Sequence, residues 1–273
     1  MIDYDPCMAR RLVATLLTAF TALGVMVTPA QAAGFTGAVK LDNCSGSLVR
    51  LPGSTSSDQA LVLTNGHCVE LMKPGTALAD VPANRDFTLL NGSGGPLAKL
   101  QSTEIVYATM TGTDAALYRL DQTYRQLQQK HGARALDLSA SGPAAGSGIR
   151  IVSGYWTKIY SCRVDAVVHQ VREAKWTWND SLRYTPYCDT IGGTSGSPII
   201  DAASGKVVGV NNTGNESGGR CTMNNPCEVD ATGEITVHKG ISYGQQTAGL
   251  VACFGRGSTL DLTLPGCTVV KPQ

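Results

Sequence analysis

The chain has 273 residues, room for one large core or two smaller ones, and carries 22 basic and 21 acidic residues for a formal net charge of +1. With charge balanced and no basic run, a nucleic-acid partner is excluded at the level of composition. Glycine is abundant (31 residues) and long helical periodicity is scarce, which suits an all-β chain with many turns.

Residues 1–32 read as a signal peptide. Arg10 and Arg11 precede an apolar run over residues 12–27, and Ala30-Gln31-Ala32 is a small-x-small cleavage site. A membrane anchor is the competing reading. The run is short for a spanning helix and the cleavage site follows it directly, so a removable signal is expected, and with it a secreted, extracellular protein. The acidic first seven residues do not fit the start of a signal, so a start at Met8 would suit it better. The arginine pair alone is too little for twin-arginine export. No other stretch could span a bilayer, and no membrane partner is expected once the signal is removed.

Setting Cys7 aside leaves eight cysteines: Cys44, Cys68, Cys162, Cys188, Cys221, Cys227, Cys253 and Cys267. An even count in an exported chain implies disulfides. Zinc is the rival, but no Cys-x-x-Cys pair is present.

From residue 35 the pattern is short strands and turns. Strands are expected over residues 36–40, 46–51, 59–65, 85–91, 98–110 and 115–120. Residues 121–135 form a helical-looking polar insert, and residues 139–148 are a Ser/Gly/Pro/Ala linker. A second run of strands follows at 149–155, 158–172, 175–184, 206–212 and 234–243. The pair 158–172 and 175–184 reads as a long hairpin whose Trp176 and Trp178 serve packing. Residues 243–254 have helical spacing.

The chemistry is concentrated in three stretches. Gly192-Gly193-Thr194-Ser195-Gly196-Ser197-Pro198 flanks a serine with glycines before an apolar strand. Serine is a weak nucleophile unless a base and an oxyanion site accompany it. Gly193 allows a tight turn that could aim the N–H groups of Gly193 and Ser195 at one spot. The stretch is not the Gly-x-Ser-x-Gly elbow, because Ser197 occupies its last glycine position. Upstream, an apolar strand ends in Gly66-His67-Cys68, and Thr113-Asp114-Ala115 places an acid at the mouth of another strand.

In this order and context the chain resembles the chymotrypsin-like (trypsin-fold) serine peptidases, most closely their secreted bacterial branch, with similarity to both trypsin-like and glutamyl endopeptidase groups. The resemblance implies two perpendicular antiparallel six-stranded β-barrels with a short C-terminal helix. Residues 33–138 would form the first barrel with His67 and Asp114. Residues 139–273 would form the second, with Ser195 and the specificity pocket. A Cys44–Cys68 bridge is also implied, stapling the His67 turn to a neighbouring strand. Taken in sequence order, the remaining bridges are Cys162–Cys188, Cys221–Cys227 and Cys253–Cys267.

By the same resemblance Ser195 is the nucleophile, His67 the general base, Asp114 the residue that orients His67, and Gly193 and Ser195 the oxyanion donors. No metal or cofactor is required. The partners are protein or peptide substrates, and a monomer is expected. His131, His169 and His238 read as structural or surface residues. Trypsin-like zymogens carry an acid just before the nucleophile, where this chain has Thr194, so that activation switch is missing. No pro-segment is evident after Ala32.

Specificity is read from Asp189, six residues before Ser195, where trypsin-like members carry the carboxylate that attracts arginine or lysine. Gly214 and Gly240 would leave the pocket open. Glutamyl endopeptidases use a histidine in the next strand, where this chain has Asn211, and the family tryptophan near Thr213 is absent. Cleavage after Arg or Lys is expected. Glutamyl specificity, small or apolar side chains, esterase activity and a non-catalytic binding module on the same fold are the alternatives.

Overall fold

The computed structural model describes residues 34–272 together with Met1 and Ile2. The expected signal peptide, its cleavage site and Cys7 lie outside the described residues. Among those described, no helix is long and apolar enough to cross a membrane.

The first half of the chain contributes β1 (Ala38–Lys40), β2 (Ser45–Arg50), β3 (Gln59–Thr64), β4 (Ala77–Pro82), β5 (Asp86–Leu90), β6 (Pro96–Thr109) and β7 (Ala115–Thr123). Six of these pair in the order β1-β5-β6-β7-β3-β2, and β1 pairs back onto β2, closing a barrel. Strand β4 lies off the ring against β6. The helix α1 (Tyr124–His131) follows, capped by Thr123 and Gln126 in a reciprocal box, then β8 (Leu136–Asp137).

The second half contributes β9 (Gly148–Ser153), β10 (Lys158–Glu173), β11 (Trp176–Tyr184), β12 (Pro198–Asp201), β13 (Val207–Gly214), β14 (Cys227–Val229), β15 (Ile235–Thr236) and β16 (Ser242–Gln246). Its ring is β11-β16-β13-β12-β9-β10, closed by the β10–β11 pairing. The expected strand over 234–243 is the short β15, a turn and the start of β16. The expected helix over 243–254 begins as strand β16, and only α2 (Ala248–Val251) is α-helical.

Both rings follow from the period-2 pattern. On β3, Val62 packs with Phe87, Leu89 and Leu100 inside the first barrel, while Leu61 and Leu63 join Val152, Ile200 and Val207 of the second half. The strand is therefore apolar throughout, because both its faces are covered. The second barrel's own core contains Ile149, Ile151, Val164, Leu182, Tyr184 and Ile199. Burying each such side chain contributes roughly 1.5–3 kcal/mol.

All four expected disulfides are present: Cys44–Cys68, Cys162–Cys188, Cys221–Cys227 and Cys253–Cys267. Trp176 and Trp178 are buried, and each indole N–H crosses to the first half, to the carbonyls of Met72 and Met110 at 2.9 and 3.0 Å. They pack as expected, and they also tie the β10–β11 hairpin to the first barrel.

Candidate active site

Three segments meet where the barrels face each other. The turn after β3 presents His67, held by the Cys44–Cys68 bridge and by its own N–H, which donates to Asp114 Oδ1 at 3.0 Å. Asp114 immediately precedes β7 and is fully buried. Its carbonyl accepts from Asn65 Nδ2 at 2.7 Å, and the adjoining Gly112 is clipped to β11 by bonds to Thr177 and Asn179. Asp114 Oδ2 takes the remaining short contact, 2.7 Å from His67 Nδ1. With Nδ1 facing a carboxylate as donor, Nε2 is left as the basic nitrogen of the neutral ring.

Ser195 comes from the loop before β12. This loop docks on the first barrel, with the Ser45 N–H donating to the Ser195 carbonyl at 2.8 Å. Gly196 has φ +79°, and a Cβ there would fall 2.1 Å from the Ser45 carbonyl and 2.2 Å from Thr64 Oγ1, so only glycine fits. Ser195 Oγ donates to the Asn212 carbonyl on β13 at 3.0 Å. Ser195, His67 and Asp114 line one cavity of about 180 Å³.

Gly193 has φ +85° and packs against Tyr155 and Trp156. The Thr194 N–H donates to Ile191 and the Gly196 N–H to Asn211. Those of Gly193 and Ser195 donate to no acceptor among the described residues. Two neighbouring donors without partners can take one anionic oxygen.

Burial disfavours the charged His67 ring, but the Asp114 carboxylate and, more weakly, Glu173 outweigh it, and the ring titrates above the ordinary histidine value. Thr194 replaces the zymogen acid with neutral bonds. Its hydroxyl donates to the Ile191 carbonyl at 2.5 Å and accepts from Asn211 Nδ2 at 3.0 Å, fixing the loop from within. His131 and His238 are partly exposed and His169 is exposed, and none of them lines the cavity with Ser195.

A second, smaller cavity of about 80 Å³ adjoins Ser195, lined among others by Thr190, Asn211, Thr213, Gly214 and Asn224. The expected specificity residues divide here. Gly214 lines this cavity. Asp189 does not: the bonds Cys188 N–H to Thr185 and Thr190 N–H to Cys188 turn the segment so that Asp189 is exposed. Gly240 sits in an exposed turn, bonded to Asn215.

Four contributors escaped the sequence reading: Ser45, whose buried hydroxyl bonds Ser153 and Gly193, and Trp156, Asn212 and Glu173. The Asn211-Asn212 pair interrupting an apolar strand was a readable signal for Asn212. The other three depend on contacts between distant segments. The Cys44 and Cys68 sulfurs and His67 could together suggest a metal site, within 4.8 Å of one another. They are bonded as a disulfide, which offers a metal no thiolate.

Residues 44–210 match the family profile described as trypsin-like peptidase domain. No curated protein sequence matches. Among solved structures, the protease domain of MamO from Magnetospirillum magneticum is similar with a TM-score of 0.50 and 14% identity, covering 82% of this chain and 98% of that one. A protease of M. tuberculosis in its active form is similar at 0.49 and 16% identity, covering 93% and 100%. The Nocardiopsis protease is similar at 0.44 and 16% identity, covering 81% and 94%.

Proposed function

The chain belongs to the trypsin-like peptidase family, and we propose that it is a secreted serine endopeptidase acting through Ser195, His67 and Asp114. The carrying observation is the 2.7 Å contact from His67 Nδ1 to buried Asp114, in a cavity that Ser195 also lines. In this reading Ser195 Oγ rotates from the Asn212 carbonyl toward His67 Nε2 once substrate is bound; such contacts commonly tighten only in the complex. Oγ attacks the carbonyl carbon and its proton passes to Nε2. The N–H groups of Gly193 and Ser195 hold the oxyanion. The imidazolium then gives the proton to the leaving amine, and water repeats the cycle on the acyl-enzyme. Asp114 keeps the ring in the useful tautomer and stabilises its charged form.

Residues 33–138 would supply His67 and Asp114, and residues 139–273 the nucleophile and the primary cavity. Export is supported by the four disulfides, which persist in oxidising compartments. The Arg/Lys expectation rested on Asp189, which is exposed and outside the cavity at Ser195. That cavity is small and lined mainly by Thr and Asn side chains, with the exposed Glu216 in its wall, so we propose small or polar residues on the acyl side of the scissile bond.

The test is hydrolysis of matched peptides by wild type, Ser195→Ala, His67→Ala and Asp114→Asn. The first two variants should lose turnover, and the third should lose about 10⁴ in kcat, a magnitude borrowed from the type case of this fold. Full peptidase activity in Ser195→Ala would remove Ser195 from the role. Ester and amide substrates of one side chain, run in parallel, separate peptidase from esterase.

A further inference from the structure

We propose that the cavity beside His67 is a subsite for a cationic group of the substrate, received by the Glu173 carboxylate and the Asn212 side chain. The proposal rests on the peptidase reading above and names a substrate class for it.

Glu173 ends β10 and is only 5% exposed. Its Oε1 accepts the Asn224 N–H at 2.7 Å, and its Oε2 accepts the Thr213 hydroxyl at 2.6 Å. Both donors are neutral, and among the described residues no lysine or arginine pairs with it. A buried carboxylate without a counter-charge is unfavourable, and burial accordingly pushes the Glu173 carboxyl up against those two hydrogen bonds. Among the described residues, the only cation that acts on it is the His67 ring, and only when that ring is protonated. A cation brought by a ligand would stabilise the carboxylate.

A second observation points the same way. Asn212 is 4% exposed and lines both cavities, yet neither its Oδ1 nor its Nδ2 has a hydrogen-bond partner. Buried amides are normally satisfied, so an orphaned one in a cavity wall marks a place a ligand completes. The remaining wall includes Leu71, Met110, Trp176, Trp178 and Met223, which suits the methylene stem of a basic side chain whose head needs acceptors. The two cavities share Ser195, Asn212, Thr213 and Asn224. A peptide with one side chain in the small cavity would therefore offer a neighbouring one here.

The cation could be a lysine or arginine side chain or the free α-ammonium of a short peptide, and the experiment separates these. Binding is measured calorimetrically on Ser195→Ala, so that no turnover is needed. The peptides are N-acetylated and differ only in arginine or citrulline next to the primary residue, with a free-amine citrulline peptide as third ligand. The same series is run on Ser195→Ala/Glu173→Gln. Glutamine can still accept from the Asn224 N–H and donate to the Thr213 hydroxyl, so the fold is retained, and citrulline-peptide binding reports on this.

We expect the arginine peptide to bind about tenfold or more tighter than citrulline, and the ratio to collapse to about one with Glu173→Gln. A Glu173-dependent preference for the free-amine peptide instead would assign the cation to the peptide terminus. Equal binding of charged and neutral peptides, or a charge preference that survives Glu173→Gln, overturns the proposal. If the charge preference holds but the chain with Ser195 restored hydrolyses nothing, the peptidase reading fails and this one stands.

Discussion

Trp156 Nε1 donates to the Gly192 carbonyl at 2.7 Å, and the peptide unit it grips is the one whose other end is the Gly193 N–H. In a planar trans peptide the C=O and N–H point in opposite directions. Anchoring Gly192 O on the indole therefore aims the Gly193 N–H away from Trp156, to the side where the proposed oxyanion would sit. Trp156→Phe keeps the ring but removes the donor. It should lower kcat by about tenfold with little change in KM, because the interaction matters only when negative charge develops. A rise in KM at constant kcat would assign Trp156 to substrate contact instead.

Thr194 makes the companion prediction. Thr194→Val removes both hydroxyl bonds and strands the Asn211 amide in a buried site. It should destabilise the fold by roughly 1–3 kcal/mol, read from denaturant unfolding, with activity falling as the Ser195 loop loosens. An unchanged midpoint would mean that the loop is held elsewhere, by Gly196 and Ser45 for example.

The strand that carries His67 and the loops with Asp114 and Ser195 were legible because each is a local pattern: an apolar run, a turn residue, a polar tip. Cys44–Cys68 was legible from the family resemblance, and the other three disulfides from count and order. Strand β4 was not, since its Ala77–Pro82 stretch mixes Asp80 with Pro82 and sits off the ring against β6 alone. Strand β16 was legible only at its start, and its remainder was read as helix, because Ser242–Gln245 is buried at every position, which erases the alternation that marks a half-exposed strand. Asp189 lay at the expected spacing from Ser195, but spacing does not fix which way a turn points a side chain. Glu173 is brought to His67 only by packing of the β10–β11 hairpin against the first barrel, as in the Trp176 bond to Met72, and no local pattern records that.

The raised His67 pKa sets a pH dependence. The proposed base must be neutral, so kcat/KM should fall on acidification, with its midpoint above the ordinary histidine value of about 6.5. Glu173 is one of the charges that raises it. Glu173→Gln removes that charge, so the imidazolium is less favoured and the acid limb should move to lower pH. A pH–rate profile on an uncharged peptide measures this. A limb that stays put or moves upward would deny the coupling.

The Cys44–Cys68 bridge joins the residue before β2 to the residue after His67, across 24 positions of sequence. Replacing both cysteines by alanine should lower stability by on the order of 2–5 kcal/mol. Activity should fall further than the folded fraction, because the His67 turn loses a covalent tie. Activity that tracks the folded fraction alone would make the bridge a stabiliser without a share in positioning.

The central claim is that Ser195 is a nucleophile activated by His67. Treating the folded chain with a fluorophosphonate and mapping the adduct by peptide mass spectrometry tests it most directly. The account predicts a single adduct on the peptide carrying Ser195, formed rapidly in wild type and greatly slowed in His67→Ala. An adduct on another residue, or labelling of Ser195 at the same rate in both proteins, would contradict it.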